Sequence, residues 1–161
     1  MKILVIYYSR TGVTKKLANH IAENIACDIE EIIDLKNRSG AKGYFIGAKD
    51  AAAKKSTRIK EPDKDPVAYD LIAIGTPVWA FTMAPAVRAY IENNSNKFKS
   101  VAFFCTEGGS GARRTFKDME ELCKKKPKET LALKEREVKK NSYGLKIEEF
   151  INRMEKGATP K

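Results

Sequence analysis

The sequence predicts an α/β protein in which helices cover both faces of a five-stranded parallel sheet. Short apolar segments rich in β-branched and aromatic residues alternate along the chain with segments whose apolar residues recur every three or four positions. The apolar segments are nearly continuous, which is typical of strands buried on both faces. Strands that alternate with helices pair in parallel through right-handed crossovers, so a three-layer sandwich is expected.

The first half of the chain contains three predicted strands and three predicted helices. An unbroken apolar run from Ile3 to Tyr8 predicts the first strand. Leu17, Ile21 and Ile25 then recur every four residues, as on the buried face of an amphipathic helix. The predicted elements are a strand at Lys2–Tyr8, a helix from Thr14, a strand at Asp28–Leu35, a helix near Tyr44–Lys55, a strand at Asp70–Gly75 and a helix at Pro85–Asn93.

The second half of the chain continues the alternation and closes the domain. The predicted elements are a strand at Ser100–Cys105, a helix bearing Phe116, Met119, Leu122 and Cys123 and ended by Pro127, a strand at Thr130–Val138 and a helix at Lys146–Glu155. Leu131 and Leu133 alternate with polar residues, as expected of a strand at the edge of the sheet. We expect residues 1–156 to form one domain and residues 157–161 a flexible tail.

The composition restricts the class of protein. The chain has 161 residues, enough for one domain with a buried core, and 42% of them are hydrophobic, which argues against disorder. No apolar stretch is long enough to span a bilayer and no signal peptide is evident, so we expect no membrane insertion and a cytoplasmic location. Cys27, Cys105 and Cys123 form no C-x-x-C pair, and His20 is the sole histidine, so no metal site is predicted.

The net charge of +10 allows two interpretations. Scattered lysines are typical of a solvated surface, whereas a surplus of positive charge also suits an acidic protein, an anionic lipid or a nucleic acid. Nucleic acid is disfavoured because no aromatic–basic RNA-binding signature accompanies the lysines.

The loop after the first predicted strand has the composition of a phosphate site. It consists of Ser9, Arg10, Thr11, Gly12, Val13 and Thr14 and immediately precedes a helix. Unpaired N–H groups and the helix dipole favour an anion there, and the three hydroxyls can donate further hydrogen bonds. The alternative is that Thr11 or Thr14 merely caps the helix. Arg10 either adds charge to the phosphate or points to solvent.

Motifs for other nucleotides are absent from the sequence. A Walker loop needs G-x-x-x-x-G-K-[ST], and this loop has a single glycine. Gly109-Ser110-Gly111 begins a G-x-G-x-x-G pattern, but Arg114 stands where the third glycine belongs.

The Ser9–Thr14 loop resembles the FMN phosphate loop of the flavodoxin family, which reads Thr/Ser-x-Thr-Gly-x-Thr after the first strand. Two further loops carry the resemblance, which is to the short-chain type of the family. Gly75-Thr76-Pro77-Val78-Trp79-Ala80 looks like the loop that meets the flavin ring after the third strand. Thr106-Glu107-Gly108-Gly109 looks like the loop that wraps the pyrimidine end of the ring after the fourth strand.

The resemblance implies a flavodoxin-like sandwich with strand order 2-1-3-4-5 and FMN at the carboxyl ends of the strands. The residues it implies for cofactor binding are Ser9, Arg10, Thr11, Gly12, Val13 and Thr14 at the phosphate, Pro77, Val78, Trp79 and Ala80 at the ring, and Thr106, Glu107, Gly108 and Gly109 at its pyrimidine end. Trp79, the single tryptophan, either contacts the flavin or is a core aromatic at the base of the loop.

Three functions are compatible with this resemblance. The first is an electron carrier between redox partner proteins, acidic ones among them, as a monomer or weak homodimer. The second is an FMN-dependent NAD(P)H:quinone or related oxidoreductase, and the third is an interaction module that retains the fold without flavin. No residue of the loops looks like a dedicated acid or base, which favours the carrier. The basic charge differs from that of familiar electron-carrying flavodoxins, which are acidic.

Overall fold

The computed structural model describes residues 1–156, in which a six-stranded sheet lies between two layers of helices. The strands are β1 (Ile3–Tyr7), β2 (Asp28–Glu31), β3 (Leu71–Trp79), β4 (Thr82–Met83), β5 (Val101–Glu107) and β6 (Thr130–Lys134). The helices are α1 (Val13–Ile25), α2 (Gly40–Ala52), α3 (Pro85–Asn94), α4 (Ala112–Cys123), α5 (Glu135–Lys139) and α6 (Gly144–Lys156). The predicted tail at residues 157–161 lies outside the described residues.

The five parallel strands have the spatial order β2-β1-β3-β5-β6, which confirms the predicted order of five strands. The predicted count is one short, because the two-residue strand β4 pairs antiparallel with the end of β3. The chain builds the sheet in one direction from β1 to β2 and then in the other direction from β3 onward. Ligands of open parallel sheets bind beyond the carboxyl ends of the strands at such a reversal.

One apolar core lies on each face of the sheet. On one face, Leu17 and Ile21 of α1 share a core with Phe150 of α6. On the other face, Tyr90 of α3 and Met119 of α4 belong to a second core. Because both faces are covered, the central strands carry apolar residues at successive positions, as the sequence predicts.

Strand β3 extends further than predicted. The sequence predicts a strand that ends at Gly75 and a loop that runs to Ala80, but the strand continues through Pro77 to Trp79 and pairs with β5. A proline is compatible with this position because β1 ends at Tyr7, opposite Gly75. No neighbour on the β1 side therefore needs the N–H that proline lacks.

The two strands beyond β3 also differ from their predicted lengths. β5 continues past Cys105 to Glu107, so two residues predicted in a loop are strand residues. β6 is shorter than predicted: it ends at Lys134, and the segment up to Val138 belongs to α5. The reason is that the Oε2 atom of Glu137 accepts the N–H of Lys134 at 2.7 Å, which starts a helical turn.

The second strand is likewise shorter than predicted, and two helices start earlier. β2 ends at Glu31 instead of Leu35, because the Oδ1 atom of Asp34 accepts the N–H of Lys36 at 2.9 Å and turns the chain. α2 and α6 begin four and two residues earlier than predicted, at positions 40 and 144. Among the described residues, no helix has the length and apolar character needed to cross a bilayer.

Candidate functional site

The first predicted loop lies between β1 and α1 and leaves the start of α1 open. Gly12 is the N-cap residue, with a φ of +93° that favours glycine. Its N–H donates to Oγ of Ser9 at 3.1 Å, and its carbonyl accepts the N–H of Lys16 at 3.0 Å. No side chain among the described residues caps the first-turn N–H groups of α1. The alternative that Thr11 or Thr14 caps the helix is therefore wrong, and these N–H groups remain available to an anion.

The three hydroxyls of this loop have different surroundings. Thr11 is exposed, and Ser9 is half-buried, where it accepts the N–H of Gly12. Thr14 is buried, and its Oγ1 lies 2.8 Å from Oγ1 of Thr106, which is also buried. This hydrogen bond joins the first predicted loop to the end of β5.

Arg10 extends from the loop toward α2. Its Nη1 atom donates to the carbonyl of Arg38 at 3.4 Å, and its guanidinium carbon lies 5.3 Å from the ring centre of Tyr44. A cation over an aromatic face is a favourable contact. The adjacent Val13 is half-buried and packs at the edge of the core under α1. Contact of either residue with a phosphate stays a prediction.

A cleft of about 300 Å³ separates this loop from the segment after β2, and Asp34, Lys36 and Arg38 of an ion cluster belong to its lining. The guanidinium of Arg38 is buried, with Nε 2.8 Å from Oδ2 of Asp34 and Nη1 2.7 Å from Oδ2 of Asp50. The ammonium of Lys36 lies 2.8 Å from the same Asp50 oxygen. The cluster ties the segment after β2 to α2 beside the first loop.

Acid is expected to weaken this cluster. Hydrogen bonds from Lys36 and Arg38 hold the pKa of Asp50 below its usual value. A carboxyl with a lowered folded-state pKa stabilises the fold above the unfolded-state pKa of about 4, and this stabilisation is lost as the pH falls through the folded-state pKa. We expect Arg38→Met to lower the free energy of unfolding by about 3 kcal/mol at pH 7, because two carboxylates lose a buried partner.

Thermal unfolding between pH 7 and pH 3 measures this effect. The melting temperature of the wild-type chain is expected to fall more steeply with acid than that of Arg38→Met, which has already lost the two ion pairs of Arg38. Lys36→Met is the matched control, because the partly exposed Lys36 contributes only about 1 kcal/mol or less. Equal stabilities of the two variants at pH 7 would contradict a structural role for the buried guanidinium.

The second predicted loop is the β3–β4 hairpin, and its tryptophan is buried. Trp79 is 9% exposed, and its ring meets the ring of Tyr8 edge to face at a centroid distance of 5.5 Å. A Cβ at Gly47 would lie 2.8 Å from Cζ3 of Trp79, so α2 packs directly on the indole. Trp79 thus lies in the core, as the second interpretation of its sequence position allows, and its contact with flavin stays a prediction.

The tip of this hairpin carries an exposed aromatic side chain. Ala80 and Phe81 form the turn with φ of +48° and +63°, and Phe81 is 54% exposed. A Cβ at Gly111 would lie 2.8 Å from Cγ1 of Val78 and 3.1 Å from Cα of Phe81, so the hairpin abuts the segment before α4. Phe81 is not among the residues predicted from the sequence, where its only local signal is an aromatic residue two positions after Trp79.

The third predicted loop follows β5 and is held by one buried carboxylate. The Oε2 atom of Glu107 accepts the N–H of Ala112, at the start of α4, at 2.9 Å. Its Oε1 atom lies 2.7 Å from Nζ of Lys134, which also donates to the carbonyl of Gly109. Gly108 and Gly109 themselves are exposed, with backbone free of steric crowding. Lys134, which is likewise not among the predicted residues, therefore holds this loop from the end of β6.

The structure brings the three predicted segments together at the carboxyl ends of β1, β3 and β5. The bond between Thr14 and Thr106 joins the first to the third, and the packing of Gly111 on Val78 joins the third to the second. Open N–H groups at the start of α1 and the hydroxyls beside them form a donor-rich surface, which suits a phosphate dianion.

The chain is similar to known proteins in both sequence and structure. The model of a family described as flavodoxin matches residues 2–148. The chain is similar to a flavoprotein from Lactobacillus acidophilus whose crystal structure is in complex with FMN, with 28% identity over 88% of this chain and 98% of that chain and a TM-score of 0.71. The apo-form of the flavoprotein from the same organism, solved by NMR, is 27% identical over 86% of this chain and 95% of that chain, with a TM-score of 0.65.

A more distant structure shares the fold alone. Oxidised flavodoxin 1 from Bacillus cereus is 18% identical over 99% of this chain and 100% of that chain, with a TM-score of 0.58. No curated protein sequence matches the chain at a significant level.

Proposed function

This chain belongs to the flavodoxin family, and on that premise we propose that it binds one FMN at the carboxyl ends of β1, β3 and β5 and carries electrons between redox partner proteins. The observation that supports this most strongly is the start of α1. A glycine N-cap with a positive φ leaves the first-turn N–H groups free of any side-chain cap, directly behind a loop with three hydroxyls. The similar Lactobacillus acidophilus flavoprotein was crystallised with FMN.

The site residues at the carboxyl ends of the strands serve two different ends of the cofactor. Ser9, Thr11 and Thr14 would donate to the phosphate together with the N–H groups of α1. The backbone of Gly108 and Gly109 is accessible for the pyrimidine end of the ring. Bound FMN would supply one- and two-electron redox chemistry, which the surrounding protein tunes and shields.

Electron transfer fits the side chains at the carboxyl ends of the strands better than acid–base catalysis does. Glu107 is buried, with one oxygen facing Lys134 and the other the N–H of Ala112. Burial raises the pKa of the Tyr8 phenol to about 12 and also raises the pKa of the Cys105 thiol. The phenol of Tyr8 and the thiol of Cys105 therefore keep their protons near neutral pH, where a general acid or base would have to exchange one.

Acidic proteins are the partners that the charge of the chain favours. A net charge of +10 accelerates association with negatively charged surfaces and slows association with positive ones. Phe81 adds an exposed aromatic side chain at the hairpin tip, and aromatic residues are enriched at the centres of protein interfaces.

An absorbance spectrum followed by anaerobic addition of NADPH or NADH tests the proposed function. We expect the purified protein to be yellow, or to quench the fluorescence of added FMN at a ratio of one to one. Stoichiometric NADPH or NADH should leave the flavin absorbance unchanged for minutes, because a carrier takes electrons from a partner protein. Dithionite should bleach the same sample at once.

Two results would contradict the proposal. Prompt bleaching by NADPH or NADH would make the chain an FMN-dependent oxidoreductase. A colourless protein that leaves FMN fluorescence unchanged would make it a module that retains the fold without flavin.

A further inference from the structure

The buried bond between Thr14 and Thr106 leaves one proton without an acceptor. The two Oγ1 atoms lie 2.8 Å apart, and the residues are only 2% and 1% exposed. Each hydroxyl carries one proton, and a single hydrogen bond between them uses one of the two. Within residues 1–156, neither hydroxyl has another hydrogen-bond partner. A buried O–H without an acceptor costs free energy, so the second proton points to a group that the protein itself does not supply.

The position of each threonine decides which proton is left over. Thr106 lies on β5, two residues beyond Phe104 and on the same face of the sheet, which α1 covers. If Thr14 donated to Thr106, the unused proton would stay on this strand, under the helix. If Thr106 donates to Thr14 instead, the unused proton lies on Thr14, in the first turn of α1, beside the free N–H groups.

We propose that Thr106 is a positioning residue for the cofactor phosphate: its hydroxyl donates to Oγ1 of Thr14 and so directs the proton of Thr14 toward the phosphate. This inference rests on the proposed function, because it needs FMN at the first loop. A phosphate dianion accepts hydrogen bonds and donates none, so it supplies the acceptor that the second hydroxyl proton lacks. A hydroxyl that accepts one bond is also a stronger donor in the next.

The inference predicts a specific loss of affinity for the phosphorylated flavin. Without Thr106, the Thr14 hydroxyl is free to rotate among three staggered positions and loses the polarising donor. Thr106→Val keeps the shape and the β-branch of the strand residue but removes its hydroxyl. We expect Thr106→Val to weaken FMN binding by about three- to tenfold. Riboflavin, which lacks the phosphate, should bind within about twofold of the wild-type affinity, since its hydroxyls make no use of this proton.

Fluorescence titrations of the apoprotein with FMN and with riboflavin provide the test. The matched control is Thr106→Ser, which restores the hydroxyl and should return FMN binding to within about twofold of wild type. In a Thr14→Val background, Thr106→Val should cause no further loss that is specific to FMN, because the donor it positions is gone. If Thr106→Val fails to fold, Thr106→Ala replaces it in the same comparison.

The outcomes separate this inference from the proposed function. Equal losses for FMN and riboflavin, or a Thr106→Ser variant as weak as Thr106→Val, would show that the pair only packs α1 on β5 and would overturn the inference alone. Wild-type FMN affinity in Thr106→Val would have the same meaning. A wild-type chain that binds no FMN would overturn the proposed function and this inference with it.

Discussion

Replacing Thr11 and Thr14 together with alanine is expected to weaken FMN binding by about a hundredfold or more. Each hydroxyl would donate to a charged phosphate, and a hydrogen bond to a charged group contributes about 1.5–3 kcal/mol. Riboflavin has no phosphate, so its dissociation constant should rise by no more than about threefold, as expected from a slightly loosened loop. Fluorescence titration of the same apoprotein with both ligands measures the two effects side by side.

A threonine far from the loop provides the control for this double variant. Thr130 is exposed at the start of β6, so Thr130→Ala should leave both affinities unchanged. Thr14 is buried, and its replacement leaves the Thr106 hydroxyl without a partner, so urea unfolding of each variant must be measured as well. Equal losses for FMN and riboflavin, with stability intact, would contradict the assignment of the loop to the phosphate.

Gly75→Ala is expected to destabilise the fold by about 3 kcal/mol, the largest effect that we predict for a single methyl group. Gly75 lies on β3, where it pairs with both β1 and β5. A Cβ there would lie 2.2 Å from Cε2 and Cζ of Phe104, whose ring is fully buried. The ring is confined by α1 and α6, so it can move away only by disturbing the core on that face.

Urea unfolding of the apoprotein measures this loss as a lower midpoint at an unchanged slope. Gly109→Ala is the matched control, because a Cβ at Gly109 meets no atom within 4 Å and its φ is not in the left-handed region. We expect that variant to stay within about 0.5 kcal/mol of wild type. A Gly75→Ala protein as stable as Gly109→Ala would show that β3 and Phe104 pack less tightly than the structure indicates.

The fold could be predicted largely from the sequence because burial on both faces leaves a strong local pattern. The run from Ile3 to Tyr8 and the four-residue spacing in α1 identify the first strand and helix without long-range information. The β3–β4 hairpin could not be predicted, because Pro77 is typical of a loop. Its turn also uses Ala80 and Phe81 at positive φ, where the usual signal is glycine or asparagine.

The candidate site was predictable only where its residues are contiguous. The first loop carries its hydroxyls and its glycine within six positions, so the sequence itself indicates an anion site. Thr14 and Thr106 are 92 positions apart, and Glu107 and Lys134 are 27 apart. Such contacts arise when parallel strands bring their carboxyl ends together, and no pattern in a single sequence reports which side chains then meet.

The charge of the chain remains compatible with both of its sequence interpretations. Several lysines form ion pairs at the surface, such as Lys15 with Glu31 at 3.0 Å, which is typical of a solvated face. The interpretation as attraction to an acidic partner is a proposal, and salt dependence of electron transfer would test it, because screening slows association between opposite charges.

A second cleft offers a clear alternative location for any ligand. It measures about 440 Å³ and lies at the opposite ends of the strands, near the residues that precede β3 and β5. Its lining includes three carboxylates, on Glu61, Asp63 and Asp65, and two ammonium groups, on Lys64 and Lys97. The surplus of carboxylates would repel a phosphate dianion, so FMN is expected at the first loop instead.

A ¹H–¹⁵N NMR titration of the apoprotein with FMN tests the central claim most directly, because it reports both binding and position. We expect saturation at one equivalent, with the largest amide shifts at residues 9–14 and 107–111. Absence of saturable binding would contradict the claim. So would largest shifts at residues 59–66 and 93–97, which would place the ligand in the cleft at the opposite ends of the strands.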